Sequence, residues 1–195
     1  ICIFILICIY LSHNINTLEI AQYTIKNKKI PKEFDGYNIV QISDLHSKSF
    51  GKNNIKLLQK IKSLNPDIIV ITGDLVDGEN NNYDIALNFM KELTKLYKVY
   101  YIIGNHEQKA LIKKYKQEYI KYFEELNQID FINLDDDKVK IQKNNSKINL
   151  YGLTVPYSCY KYLFDDKEIT TIDSKFLEQK LGDLNKNEFN ILLAH

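Results

Sequence analysis

The segment DIIVITGDLVDG, residues 67–78, decides the fold, because an unbroken apolar run passes directly into an acidic turn. The run Asp67–Thr72 is rich in β-branched residues, which predicts a strand that is buried on both faces. Such strands are typical of parallel sheets covered by helices. The runs Tyr37–Ser43 (YNIVQIS) and Val99–Ile103 (VYYII) have the same character and predict two neighbouring strands.

Helical patterns fill the segments between these strands, with apolar residues repeating at helical spacing. They predict helices at Asn53–Leu64, Tyr83–Leu96 and Leu111–Leu126. Strands that alternate with helices favour an α/β domain with a mainly parallel core. The sequence from Phe131 onward predicts three short strands, an acidic turn at Asp135–Asp137, one helix and a last strand. The short strands are Phe131–Ile132, Val139–Ile141 and Ile148–Tyr151, the helix is Phe176–Leu181, and the last strand is Asn190–Leu193.

The composition bounds the class of protein. The chain has 195 residues, enough for one domain with a substantial core. Lys+Arg is 26 against Asp+Glu 25, and every cation is Lys. A nucleic-acid partner is therefore disfavoured, because such binders carry a basic excess. Any bound phosphate would also lack the bidentate guanidinium clamp.

The first residues suggest a membrane segment. Ile1–Leu11 carries no charge, yet it is shorter than the roughly 20 apolar residues that span a bilayer. We interpret residues 1–12 as the end of an N-terminal membrane anchor or signal segment, residues 13–34 as a connecting segment, and residues 35–195 as the main folded domain. A buried strand at the start is the alternative interpretation.

Polar groups follow each long apolar run, at the carboxyl ends where parallel sheets form ligand sites. They are Asp44 and His46, then Asp74 and Asp77, then Asn105 and His106, and finally His195. Each alone is also explained by a turn or a helix cap. Together they predict one metal site at one rim, and carboxylate and imidazole groups suit Mn, Fe or Zn. Tyr-rich helix faces are interpreted as core and surface residues rather than as a binding platform.

The strings SDLH (43–46), GDLVDG (73–78), GNHE (104–107) and LLAH (192–195) resemble the calcineurin-like metallophosphoesterase superfamily. The sequences around these motifs are similar to those of a bacterial, often membrane-attached subgroup of the superfamily, the YkuE and YaeI type. The resemblance covers the chain from about residue 37 to residue 195 and implies an α/β fold, an αββα four-layer sandwich.

The resemblance also implies a role for each matching residue. Asp44 and His46 would bind the first of two divalent metal ions, and Asp74 would bridge both ions. Asn105 and His195 would bind the second. The remaining two roles are catalytic, with His106 acting on the leaving oxygen and Asp77 orienting His106 by a hydrogen bond.

Two departures from the family pattern shape the expectation. The Gly-His-x-His segment that normally follows the position of His195 is absent, so we expect the domain to be incomplete at its C-terminus. Gly78 stands where members acting on phosphoproteins commonly have Arg, which argues against that branch.

The function predicted is hydrolysis of phosphate mono- or diesters by a dinuclear metal centre with a bridging hydroxide. A membrane-surface hydrolase of lipid-head-group (pyro)phosphates and a non-catalytic, metal-binding, membrane-anchored module are the alternatives. The expected location is membrane-associated, with the catalytic domain outside the cytoplasm.

Overall fold

The structure is a computed structural model, and it describes residues 17–112, 115–160 and 171–195. These residues form seven strands and five α-helices. The strands are β1 (Ile39–Ile42), β2 (Ile68–Thr72), β3 (Val99–Ile102), β4 (Ile132–Asn133), β5 (Asp137–Lys143), β6 (Ser146–Leu153) and β7 (Asn190–Ala194). The helices are α1 (Ile55–Ser63), α2 (Asp84–Thr94), α3 (Asn105–Ile112), α4 (Lys116–Leu126) and α5 (Ser174–Leu181).

The first sheet has the order β1-β2-β3-β4, and all of its strands are parallel. Every residue of β2 and β3 is buried, as their continuous apolar runs predict. Ile69 and Ile71 on one face of β2 pack into a core with apolar side chains of α1, α2 and α4. The predicted parallel sheet, covered by helices on this face, is confirmed.

The second sheet covers the other face. It has the order β5-β6-β7, antiparallel between β5 and β6 and parallel between β6 and β7. Val70 and Tyr100 of the first sheet share a core with Ile148 and Leu150 of β6. Helix α5 lies against β5 and β6. The layers are therefore helix, sheet, sheet and helix, which confirms the predicted αββα sandwich.

One local prediction is wrong. The single helix Leu111–Leu126 is replaced by α3 and α4, and α3 begins at Asn105, where the sequence shows no apolar periodicity. Three of its four buried residues are polar, namely Asn105, Glu107 and Lys109, and a hydrophobic pattern cannot reveal such a helix. The last predicted strand, Asn190–Leu193, is present as β7 and pairs with β6 in the second sheet.

The predicted membrane anchor, residues 1–12, lies outside the described residues. Residues 17–27 form neither helix nor strand and are mostly exposed. Among the described residues, no helix has the length and apolar character needed to cross a bilayer. The division into anchor, connecting segment and domain stays a prediction.

Leu150→Ala tests the packing between the two sheets. Leu150 is fully buried on β6, so truncation should lower the free energy of unfolding by about 2–5 kcal/mol. The matched control is Leu192→Ala on the neighbouring strand β7, where the leucine is 48% exposed and the cost should stay below about 1 kcal/mol. Urea unfolding of both variants measures the difference, and equal losses would contradict the sandwich core described here.

Candidate metal centre

The loops that follow β1 and β2 run side by side beyond the ends of their strands. The Asp44 N–H donates to the carbonyl of Gly73 at 3.3 Å, and the His46 N–H donates to the carbonyl of Asp74 at 2.9 Å. Asp44, His46 and Asp74 all have positive φ angles, of 54°, 48° and 53°. This left-handed backbone conformation is costly for residues other than glycine and occurs preferentially at functional sites.

Two glycines allow the loops after β2 and β3 to touch. Gly73 has a φ of 85°, and a Cβ placed on it would lie 2.6 Å from the Gly104 nitrogen and 2.9 Å from Nδ1 of His195. A Cβ on Gly104 would lie 2.6 Å from the backbone nitrogen of Asp74. Any side chain at either position would therefore push the metal-ligand candidates apart.

Asp74 lies at the centre of the site and is only 2% exposed. Its Oδ1 accepts a hydrogen bond of 2.9 Å from the backbone N–H of His106, in the first turn of α3. A carboxylate is favoured there by the unpaired N–H groups of a helix start. Its Oδ2 faces three imidazoles, at 3.8 Å from Nε2 of His46, 3.9 Å from Nε2 of His106 and 3.2 Å from Nε2 of His195.

Backbone carbonyls orient two of these imidazoles. Nδ1 of His195 lies 2.7 Å from the carbonyl of Thr72, and Nδ1 of His106 is hydrogen bonded to the carbonyl of Asp77. Since a carbonyl only accepts, each Nδ1 carries the proton and donates it. The Nε2 atoms are then directed to the centre, and hydrogen bonds of this kind at the other ring nitrogen orient metal-binding histidines.

The side chains form two adjacent groups whose candidate ligand atoms lie within 4.8 Å of one another. One group contains Asp44, Asp74 and His195, and the other contains His46, Asp77 and His106. Two ligands of one divalent ion lie about 3–4 Å apart, so these carboxylate and imidazole donors fit such an ion. The residues present therefore suit the divalent metals that the chemistry of the donors predicts.

The structure brings all of the predicted site residues to one rim, and the role of each stays a prediction. Asn105 is 8% exposed and begins α3, directly before His106. Asp77 and His106, predicted as residues that bind no metal, lie in a group with His46 that could hold an ion. The resemblance implies that a hydrogen bond to Asp77 orients His106. In the structure, Nδ1 of His106 donates to the backbone carbonyl of Asp77, and the carboxylate Oδ1 of Asp77 lies 3.6 Å from the same nitrogen.

Glu107 is a further residue of the site to which the sequence analysis gave no role. It is fully buried, and its carboxylate accepts hydrogen bonds from four backbone N–H groups. The donors are Asp74 at 2.9 Å, Leu75 at 2.7 Å, Val76 at 3.2 Å and Gly104 at 2.8 Å. Glu107 thus joins the loops after β2 and β3. The sequence signal that could have identified Glu107 is its position at the end of the GNHE motif, residues 104–107.

Burial and the nearby carboxylate of Asp74 raise the pKa of Glu107, and its backbone donors oppose that shift. The four N–H groups are the reason that a carboxylate can be buried here at all, because an unpaired buried charge is very costly. The carboxylates of Asp44, Asp74 and Asp77 also lie at this rim, so acidic groups are concentrated there. A bound cation would offset that concentration of negative charge.

Comparison with known proteins finds a family model that matches residues 37–195, and its description is calcineurin-like phosphoesterase. The uncharacterized metallophosphoesterase YkuE of Bacillus subtilis is 34% identical over 94 residues, covering 46% of this chain and 33% of that protein. A probable glycerophosphodiester phosphodiesterase GpdQ of Arcobacter nitrofigilis is 33% identical over 126 residues, covering 56% of this chain and 44% of that protein.

A transmembrane protein with metallophosphoesterase domain from Danio rerio is 26% identical over 91 residues, covering 46% of this chain and 21% of that protein. The matches thus span less than half of the length of these relatives. More than half of the length of each of these relatives is left unmatched.

Glu107→Gln tests the clamp, meaning the four hydrogen bonds by which the Glu107 carboxylate joins the loops after β2 and β3. The amide cannot accept all four N–H groups, so at least one buried donor loses its partner, and the free energy of unfolding should fall by about 1–3 kcal/mol. The control is Glu124→Gln, which makes the same change at an exposed position of α4 and should leave stability unchanged within about 0.5 kcal/mol. Thermal unfolding without added metal compares them, and a Glu107→Gln protein as stable as its control would exclude the clamp.

Proposed function

This chain belongs to the calcineurin-like phosphoesterase family, and we propose that it carries the metal-binding rim of an enzyme that hydrolyses phosphate mono- or diesters. One observation supports the proposal above others. The buried carboxylate of Asp74 meets the Nε2 atoms of His46, His106 and His195 at 3.2 to 3.9 Å. Such a set of donors, gathered from both sheets, fits the metal chemistry of the family.

The proposed centre holds two divalent ions, drawn from Mn, Fe and Zn, on Asp44, His46, Asp74, Asn105 and His195. When bound, the metals supply a nucleophilic hydroxide near neutral pH and neutralise the charge that develops on the phosphate oxygens. That neutralisation is needed because the chain has no Arg to clamp a phosphate group.

The protein side chains supply positioning and a proton. Asp74 fixes the first turn of α3 through its Oδ1, which places His106 beside the centre. His106 in its imidazolium form would give the proton on Nε2 to the leaving oxygen, while Nδ1–H stays hydrogen bonded to the carbonyl of Asp77. The reaction breaks the bond from phosphorus to the leaving oxygen and forms a bond from phosphorus to the incoming hydroxide.

The substrate class is proposed from two observations. A relative bears the name of a probable glycerophosphodiester phosphodiesterase, which favours a phosphodiester. The apolar residues 1–11, together with relatives named transmembrane proteins, favour a second candidate, a hydrolase of lipid-head-group phosphates at a membrane surface. In both cases residues 1–12 would anchor the protein, with the catalytic domain on the extracytoplasmic side.

Asp74→Asn should abolish tight metal binding and with it hydrolysis. The amide is neutral and offers one oxygen, so we expect affinity for Mn²⁺ to fall by at least tenfold, the lower end of the loss seen even for groups behind the ligands. Asp130→Asn, the same change at an exposed position after α4, is the control. Metal content and hydrolysis of bis-p-nitrophenyl phosphate and p-nitrophenyl phosphate are measured with and without excess Mn²⁺.

Unchanged metal content in Asp74→Asn would contradict the proposed centre. Metal bound by the wild-type protein without hydrolysis of either ester would instead favour the non-catalytic, metal-binding module. The ratio of diester to monoester turnover shows whether the site prefers phosphodiesters or phosphomonoesters.

His106→Ala should lose hydrolysis but keep the metal. Loss of the general acid should lower kcat by about 10²- to 10⁴-fold, while the metal content stays that of the wild type. The same metal analysis and steady-state kinetics decide the matter. Loss of metal in this variant would make His106 a ligand, as its grouping with His46 and Asp77 would allow, and would overturn its proposed role.

A further inference from the structure

The loop of residues 77–80, called here the 77–80 loop, lies directly against His106. The carbonyl of Asp77 is hydrogen bonded to Nδ1 of His106. Gly78 packs on the backbone of the same residue, where an added Cβ would lie 3.4 Å from the Cα of His106. Asn80 donates from its side-chain amide to Oδ2 of Asp77 at 2.6 Å. The position of this loop therefore sets both the orientation of the imidazole and that of the Asp77 carboxylate.

Tyr119 of α4 binds the 77–80 loop at two points. The N–H of Gly78 donates to the Tyr119 hydroxyl at 3.1 Å, and that hydroxyl donates to the carbonyl of Asn80 at 2.9 Å. One hydroxyl thus accepts from one side of the bend and donates to the other. Its two hydrogen bonds connect a core helix to the loop that holds His106.

The Tyr119 side chain is well suited to this task. It is fully buried, and its ring packs on those of Tyr83 and Tyr122 with centroids 5.7 Å away. Burial raises the pKa of Tyr119 to about 12, so the hydroxyl keeps its proton throughout the neutral range. Both hydrogen bonds are then present whenever the enzyme works.

We propose that Tyr119 is a positioning residue, whose hydroxyl fixes the 77–80 loop so that the Asp77 carbonyl meets Nδ1 of His106 and the Nε2 proton faces the leaving oxygen. The inference rests on the proposed function of His106. Removing the hydroxyl would leave the Gly78 N–H and the Asn80 carbonyl without this shared partner. The loop would then move, and with it the acceptor that orients the imidazole.

The chain offers a matched control three residues along the same helix. Tyr122 is as buried as Tyr119 and packs in the same aromatic cluster. In the described part of the chain its hydroxyl makes no hydrogen bond to the 77–80 loop. Tyr122→Phe therefore removes the same atom from the same core, and it separates a loss of packing from a loss of positioning.

The experiment compares Tyr119→Phe and Tyr122→Phe in the full-length protein loaded with Mn²⁺, using bis-p-nitrophenyl phosphate. Tyr119→Phe should lower kcat by about tenfold, as outer-shell changes at metal sites do, with KM and metal content unchanged. Tyr122→Phe should keep the wild-type kcat. Equal kcat values in the two variants would overturn the proposal.

A double-variant cycle shows whether Tyr119 acts through His106. If it does, adding Tyr119→Phe to His106→Ala should cause no further loss of kcat, because the oriented group is already gone. A further tenfold loss would mean that Tyr119 acts by another route, and would overturn the proposal.

A spectroscopic readout is independent of turnover. The ring Nδ1–H of His106 is assigned by ¹H–¹⁵N NMR of the zinc-loaded protein as the signal that disappears in His106→Ala. Its exchange with water should accelerate in Tyr119→Phe and not in Tyr122→Phe, and equal exchange would overturn the proposal. If the wild-type protein hydrolyses no ester, the proposed function fails, and this measurement still tests the positioning by Tyr119.

Discussion

The carboxylate of Asp74 is almost fully buried at the point where the two sheets and helix α3 meet. Burying such a group is costly unless each oxygen is satisfied. One oxygen takes an N–H from the helix start, and the other faces imidazoles of His46, His106 and His195, which follow the separate strands β1, β3 and β7. The close approach at Gly73 and Gly104 and the left-handed backbone of Asp74 itself are what this packing requires.

The groups behind the ligands are held mainly by backbone atoms. Carbonyls of Thr72 and Asp77 orient His195 and His106, and four backbone N–H groups satisfy Glu107. The carbonyl of Thr72 belongs to β2, whereas the carbonyl of Asp77 and the N–H groups that bind Glu107 lie in the turns beyond β2 and β3. The site is therefore held both by the strand ends and by the contacts that fix these turns.

The sequence predicted much of the fold and the location of the site, since apolar runs specify buried strands and parallel strands bring their carboxyl ends together. It could not predict α3, whose buried residues are mostly polar, or the pairing of β7 with β6. The burial of Glu107 and the hydroxyl contacts of Tyr119 depend on tertiary contacts across more than 30 residues. The Tyr-rich helix faces are interpreted from the sequence as core and surface residues; Tyr119 and Tyr122 are buried, and the Tyr119 hydroxyl has specific partners as well.

The hydrogen bond from His195 to the carbonyl of Thr72 joins residues 123 positions apart in the chain and links β7 to β2 across the two sheets. Contacts of such long range form late, because chain closure over that distance must come first. Metal affinity would accordingly develop only after the sheets have docked. An ion bound there would act as a cross-link that selectively stabilises the fully assembled sandwich over partly folded forms.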